Sequence, residues 1–185
     1  MKSTVTALAF AAAFLSVGCG RGHAIFNVDV YSFMVGTGKD TVPYAIAPNT
    51  TDSASTFQQI HLPPGFGSSI VESATIAGGA DVRNTTGAGA IGFRMYIAAD
   101  SAGTLDSATA FAFVGVSDAT VTGPGVTPVI IAGGLTPAVL DRFTKEDVWI
   151  RIVARGRNTD LLNPVIGKMV LTSLMFRVVM QDNIL

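Results

Sequence analysis

Alternation of apolar and polar side chains with a period of two residues is the feature that most limits how this chain folds. The clearest stretch runs from residue 91 to residue 97, where Ile, Phe, Met and Ile alternate with Gly, Arg and Tyr. A second stretch places Val148, Ile150 and Ile152 on one side. This period belongs to a β-strand with one buried face, so the pattern predicts an all-β protein.

Six further segments have the composition of strands, which brings the predicted number to about eight or nine. They are Ala24–Met34, Phe57–Leu62, Ser69–Ile76, Ala110–Val116, Thr127–Ala132 and Met169–Gln181. The last is apolar on both sides, which predicts a central position in its sheet. Turn-forming pairs such as Gly78-Gly79 and triplets such as Gly123-Pro124-Gly125 separate the strands.

One segment, Thr136–Phe143, carries helical signals, because Thr136 is a favourable N-cap and Pro137 suits the first helical position. Residues 37–56 are rich in Thr, Ser, Asn and Pro and are predicted to form a long loop. Short strands at this spacing favour a two-sheet antiparallel β-sandwich, immunoglobulin-like or jelly-roll, with the short helix crossing between the sheets. We expect a single domain over residues 24–185.

The N-terminal segment has the features of an export signal. Met1-Lys2 precedes an uncharged, proline-free stretch, Val5–Val17, which is too short to span a bilayer and is followed by Gly18 and the single cysteine, Cys19. The run Leu15-Ser16-Val17-Gly18-Cys19 resembles the lipobox of bacterial lipoproteins. The alternative is an ordinary secretory cleavage site beside an incidental thiol.

The resemblance implies that Cys19 carries a diacylglycerol and that cleavage removes residues 1–18 as a signal peptide. Residues 19–23 are then a lipidated linker, and the membrane is a partner through the lipid anchor. Gly20 after the cysteine implies sorting to the outer membrane or cell surface of a bacterium. An unpaired cysteine in an exported protein is also explained by lipidation, because it has no internal disulfide partner.

Composition limits the partners further. Without residues 1–18 the chain has 11 basic and 13 acidic residues, so a basic face for nucleic acid is not expected. Charged residues make up 14% of the chain, well below the usual share of roughly one quarter. A surface with so little charge suits a homo-oligomer or contact with envelope proteins and glycans.

Few residues suggest catalysis or metal binding. His23 and His61 have no further histidine or cysteine at metal-ligand spacing, and no serine lies in a Gly-x-Ser-x-Gly elbow. The segment from Asp100 to Asp106 concentrates oxygen donors and is a candidate calcium site; the alternative there is an Asx turn with Gly103 at positive φ. No other cofactor is predicted, and an enzyme is not expected.

Trp149, Arg151 and Arg155 are the candidate ligand-binding residues, because alternation directs them away from the aliphatic side of their strand. A Trp–Arg pair on an open sheet face stacks on a sugar or on a partner protein; the alternative is a tryptophan packed under a loop.

The sequence therefore predicts a structural or binding module. Alternatives are a filament subunit assembled by exchange of the Ala24–Met34 strand, a carbohydrate-binding module and a small transmembrane barrel.

Overall fold

A computed structural model describes residues 22–61, 70–105, 111–114, 118–135, 140, 143 and 147–182 of the chain. Cys19 and the rest of the predicted signal peptide lie outside the described residues. The described part of the chain contains ten strands and one short helix. The all-β prediction is therefore confirmed.

The elements follow one another as β1 Gly22–Asp29, α1 Val30–Val35, β2 Thr41–Ile46, β3 Thr51–His61, β4 Ile70–Thr86, β5 Ala88–Ala98, β6 Phe111–Val114, β7 Ala119–Thr122, β8 Gly125–Gly134, β9 Asp147–Asn158 and β10 Val165–Asp182.

Two antiparallel sheets share these strands. In the first sheet β1 and β2 lie end to end along β10, which is followed by β4 and β8. In the second sheet the order is β3, β9 and β5, and β6 and β7 lie end to end along β5. The pairs are nested, since β1 and β2 pair with β10, β3 with β9, β4 with β8, and β5 with β6 and β7. A long hairpin wrapped into two sheets in this way is a jelly roll, which decides between the two predicted sandwich types.

The core lies between the two sheets and is built from the alternate residues that the sequence pattern predicts. Ile91, Phe93, Met95 and Ile97 of β5 are each at most 2% exposed. Opposite them, Phe176 of β10 packs edge-to-face with the Phe143 ring at a centroid distance of 5.5 Å. Burial of apolar surface on this scale is the main stabilising contribution to a domain of this size.

The predicted strand Ala24–Met34 ends early, because a helix replaces its second half. The Asp29 carboxylate accepts a hydrogen bond from the Ser32 backbone N–H at 3.2 Å and caps α1. Val30 and Met34, four residues apart, are both fully buried on the inner side of this helix. Apolar residues at even positions indicate a strand up to residue 28. Beyond it, Val30 and Met34 are both even positions and also lie four residues apart, so the same residues fit a helix.

The prediction of a long loop over residues 37–56 is wrong, because β2 and the first half of β3 occupy most of it. Val42, Tyr44 and Ile46 alternate inward on β2 and are at most 5% exposed. The start of β3 is polar because it is an edge strand whose outer side faces solvent. Threonine and serine there indicate an exposed strand face and not a loop.

Gly78-Gly79 lies inside a strand and not in a turn, since β4 continues through it to Thr86. A Cβ atom at Gly78 would meet the backbone carbonyl oxygen of Ser173, beside an irregularity in the β4–β10 register between Leu171 and Ser173. The same irregularity turns Leu171 inward, where it is buried, and leaves Met175 exposed on the outer side. The central position predicted for this last strand is confirmed, but its outer face is not fully covered.

The predicted helix Thr136–Phe143 is described at Leu140 and Phe143 alone, both of which have helical backbone and are buried. Its other residues lie outside the described part. The segment connects β8 of the first sheet to β9 of the second, as expected for a crossover between sheets.

Candidate functional site

Alternation along β9 directs the three predicted binding residues to the outer face of the second sheet. Val148, Ile150 and Ile152 are buried in the core, whereas Trp149 and Arg151 are half-buried and Arg155 is exposed on the opposite side. The predicted orientation is therefore confirmed for this strand. Whether these residues bind a ligand stays a prediction.

Two further arginines, one on β9 and one on the neighbouring strand β5, lie on the same side of the sheet as these residues. Arg157 follows Arg155 two positions along β9 and points to the same side. Arg94 of β5 lies directly opposite Val153, which separates Arg151 from Arg155 on β9. Arg94, Arg151, Arg155 and Arg157 thus share one surface, which we call the arginine face.

Arg151 is held at one end of the arginine face by two aromatic rings. It lies directly opposite Phe57 of β3 and Tyr96 of β5 in the strand register. The guanidinium carbon is 4.4 Å from the centroid of the Tyr96 ring and 6.0 Å from that of Phe57. Its Nε atom is inaccessible to solvent and has no hydrogen-bond partner in the described part of the chain. The cation–π contacts therefore fix this side chain in place.

The middle of the arginine face has an apolar floor. Val153 is 6% exposed although it points away from the core. Its neighbours in the register are Ser55 of β3 and Arg94 of β5, and Arg151 and Arg155 flank it along β9. Long arginine stems cover apolar surface while their charged ends reach solvent, which accounts for the burial of this valine.

A row of hydroxyl groups runs beside the arginines. Thr51, Ser53 and Ser55 of β3 point to the same outer side and are all exposed. Thr51 pairs with Arg157 and Ser53 pairs with Arg155 in the strand register. The two strands thus present guanidinium groups and hydroxyl groups in parallel rows.

Two carboxylates lie near the arginine face, but neither forms an ion pair with its guanidinium groups. Asp118 lies over Gly92, the register partner of Arg155, where a Cβ atom would contact its carboxylate oxygen. Asp147, two residues before Trp149, contacts the Nδ1 atom of His61 through its carboxylate. Of the ion pairs between described residues, none includes an arginine of this face. The face is therefore basic in a chain whose formal net charge is −1, so the expectation that no basic face exists was wrong.

The candidate calcium loop is described from Asp100 to Leu105, and Asp106 lies outside the described residues. The Asp100 side-chain oxygen accepts a hydrogen bond from the Gly103 backbone N–H at 2.6 Å, as in the turn considered as the alternative. The positive φ expected at Gly103 is absent, since among described glycines it occurs at Gly38 and Gly87. Described residues contain no cluster of three His, Cys, Asp or Glu side chains suited to a metal.

The two histidines lie on opposite outer faces and do not form one site. His23 belongs to β1 of the first sheet, where its Nε2 atom is 3.2 Å from the Glu72 carboxylate. This places it in a strand and not in the expected linker. Among the described helices, none is both long enough and apolar enough to cross a membrane.

A cavity of about 350 Å³ opens where β2, β3 and β10 approach one another. It is lined largely by apolar groups, including Pro43, Ala54 and Ile166, and Asp52 is the one charged residue in its lining. The other titratable group in the lining is Tyr44, whose hydroxyl group donates to the Asn84 side-chain oxygen at 3.4 Å.

No protein-family model matches the chain, and no curated protein matches it either. Solved structures with similar backbones include that of the infectious bursal disease virus Gx strain, at 11% identity and a TM-score of 0.42, over 88% of this chain and 33% of that one. A mutant VP2 protein from particles of the same virus has 9% identity and a TM-score of 0.46, over 88% and 36%. Latent PorU from Porphyromonas gingivalis has 8% identity and a TM-score of 0.32, over 88% and 13%. The chain spans about a third of the length of the virus proteins, and similarity at this level carries no information on function.

Proposed function

We propose that this chain is a lipid-anchored β-sandwich protein of the bacterial cell envelope, which binds a partner through the arginine face and catalyses no reaction. The observation that carries the proposal is the position of Cys19 directly after the uncharged stretch Val5–Val17. Two or three acyl chains on one residue bind a bilayer almost irreversibly, since each buried methylene contributes about 0.8 kcal/mol.

The fold is compatible with an anchor at this position. β1 begins at Gly22, three residues after Cys19, and pairs there with Asp182 of β10. A lipid on Cys19 would hold this end of the sandwich next to the membrane. His61 of β3 and Asp147 of β9 pair with each other and lie at this same end of the sandwich. The reason is that β9 runs from Asp147 to the β9–β10 connection, and β10 runs back from there to Asp182.

The arginine face is the part of the described surface best suited to binding. Strands β3, β9 and β5 fix its side chains in a regular array, and the exposed hydroxyl groups of Thr51 and Ser53 lie opposite Arg157 and Arg155 in the register. Sites built on strands hold their geometry better than sites built on loops. No nucleophile with an adjacent base is present among the described residues around this face, which favours binding over catalysis.

The experiment is metabolic labelling with palmitate followed by detergent phase partitioning, for the wild type, Cys19→Ala and the control Ser3→Ala, which lies outside the Leu15–Cys19 run. We expect label and detergent-phase protein for the wild type and the control. Cys19→Ala should be unlabelled and should either remain an uncleaved precursor or be released as soluble protein. An unlabelled wild type in the aqueous phase would replace the anchor with plain secretion.

A further inference from the structure

We propose that the arginine face binds an acidic polysaccharide, whose carboxylate or sulfate groups pair with Arg94, Arg155 and Arg157 while its hydroxyl groups contact the β3 row. The inference deepens the proposed function by naming the chemical class of the partner. The inference takes the location of the protein from the proposed function. The binding chemistry is argued separately, from the residues of the arginine face.

The dimensions of the face favour a polymer over a small anion. Arg151 and Arg157 are six residues apart on β9, which is about 20 Å at roughly 3.4 Å per residue. Arg155 and Arg157 are separated by about 7 Å on the same side of the strand. Arg94 lies diagonally between Arg151 and Arg155, one strand away. A ligand that pairs with several of these groups must extend along the strand and carry repeated negative charges.

The cation type also limits the ligand. Among the described residues, all the cationic side chains on this face are arginines. A guanidinium group presents a planar fork of donors that matches a carboxylate or sulfate with two hydrogen bonds. Arg155 and Arg157 are exposed and form no ion pair with a described carboxylate, so their donors are available to an acidic ligand.

The hydroxyl row and the use of the aromatic rings favour a glycan over a single-stranded nucleic acid. Proteins that bind single strands stack bases on free aromatic rings. Here the Tyr96 ring is 4.4 Å from the Arg151 guanidinium, which occupies the ring face. Ser53 and Ser55 instead offer donors and acceptors for the hydroxyl groups of a sugar chain.

The direction of β9 disfavours the headgroups of the anchoring membrane as the ligand. If Cys19 is lipidated, the membrane lies at the Asp147 end of this strand. Arg155 and Arg157 are eight and ten residues from Asp147, or about 27 and 34 Å along the strand. Since surface potentials decay over a Debye length of roughly 8–10 Å, anionic lipid would act on them weakly.

The test measures binding of detergent-solubilised full-length protein to alginate, a polymer of uronic acids, with neutral dextran as the reference polymer. The variant is Arg155→Gln/Arg157→Gln. The matched control is Lys168→Gln/Arg177→Gln, which removes the same charge from exposed positions on the outer face of the first sheet. A third variant, Arg155→Lys/Arg157→Lys, keeps the charge and removes the planar fork.

We expect salt-dependent binding to alginate and none to dextran. Arg155→Gln/Arg157→Gln should weaken binding at least about tenfold and flatten its dependence on salt, while the control pair changes it less than about twofold. The lysine variant should lie between the two. Far-UV circular dichroism should be unchanged in all variants, because the substituted side chains are exposed.

Four results would overturn the inference: no binding to alginate, equal weakening by both glutamine pairs, tighter binding to an oligothymidylate, or tighter binding of the Cys19→Ala protein to vesicles of phosphatidylcholine and phosphatidylglycerol. None depends on whether palmitate labels Cys19, because the first three concern soluble ligands and the vesicle measurement uses protein without the cysteine. Failure of the anchor and failure of the ligand class are therefore separate outcomes.

Discussion

Replacement of Asn158 by alanine should destabilise the domain strongly, because its side chain joins three parts of the chain. Asn158 ends β9 and is 1% exposed. Its amide nitrogen donates to the carbonyl oxygens of Ile46 and Ala47, both at 3.1 Å, and of Asn163 at 2.9 Å. Its side-chain oxygen accepts from the Asp160 backbone N–H at 2.8 Å. The residue thus joins the end of β2, the β2–β3 connection and the β9–β10 connection.

The cost follows from the groups left behind. Removing one partner of a buried hydrogen bond costs about 1–3 kcal/mol per abandoned group, and water will satisfy part of the four groups around Asn158. We therefore expect Asn158→Ala to lower the free energy of unfolding by about 3 kcal/mol. In a domain of this size that corresponds to a decrease of roughly 6–12 °C in Tm.

Urea unfolding followed by circular dichroism measures the effect, with Asn163→Ala as the control. Asn163 is exposed, and its side-chain nitrogen donates one hydrogen bond, to the Asp160 carboxylate at 3.1 Å, so its removal should cost under about 1 kcal/mol. The reasoning fails if the two variants are equally stable. Asn158→Asp gives a second check, because the introduced carboxylate would face carbonyl oxygens and the variant should regain stability at acidic pH.

Two further predictions concern a buried phenol and a half-buried glycine. Burial raises the pKa of Tyr44 to about 12, so stability should fall as pH rises from 10 to 12, where the unfolded chain ionises first; alkaline urea titrations should show a smaller fall for Tyr44→Phe. Gly78→Ala should cost about 1–3 kcal/mol in urea unfolding, because its Cβ would meet the backbone at Ser173. Gly79→Ala should cost less, since its nearest contact is the Thr172 hydroxyl; equal costs would contradict the packing argument.

Periodicity predicted the strands that bury one face and failed where a strand is exposed or interrupted. β5 and β9 were recognisable because Phe93 and Ile150 belong to regular apolar rows. The start of β3 was missed because this edge strand has an exposed face, and the serines and threonines on it give the segment the composition of a loop. α1 was missed because Val30 and Met34 satisfy both periods; Asp29, a good N-cap, was the available local signal.

The choice of sandwich topology depends on contacts between distant parts of the chain. Gly22 pairs with Asp182 and Thr51 pairs with Arg157, which no local pattern specifies. The arginine face was predictable only in the part that lies on a single strand. Arg151 and Arg155 share one strand, so alternation grouped them, whereas Arg94 joins them only through the β5–β9 register.

The net charge of a chain is a poor guide to what it binds when one face of a sheet carries mostly charges of one sign. The inner side of β9 holds Ile150 and Ile152, both fully buried, so every charge on this strand must lie on its outer side. Its neighbours β3 and β5 add few carboxylates to that side, and Asp147 is paired with His61. A strand pattern that buries apolar residues on one side thus concentrates arginines on the other, even in a chain with nearly equal numbers of acidic and basic residues. Because the pleat also fixes the spacing of these arginines, the same pattern that stabilises the core determines the geometry of the surface available to a ligand.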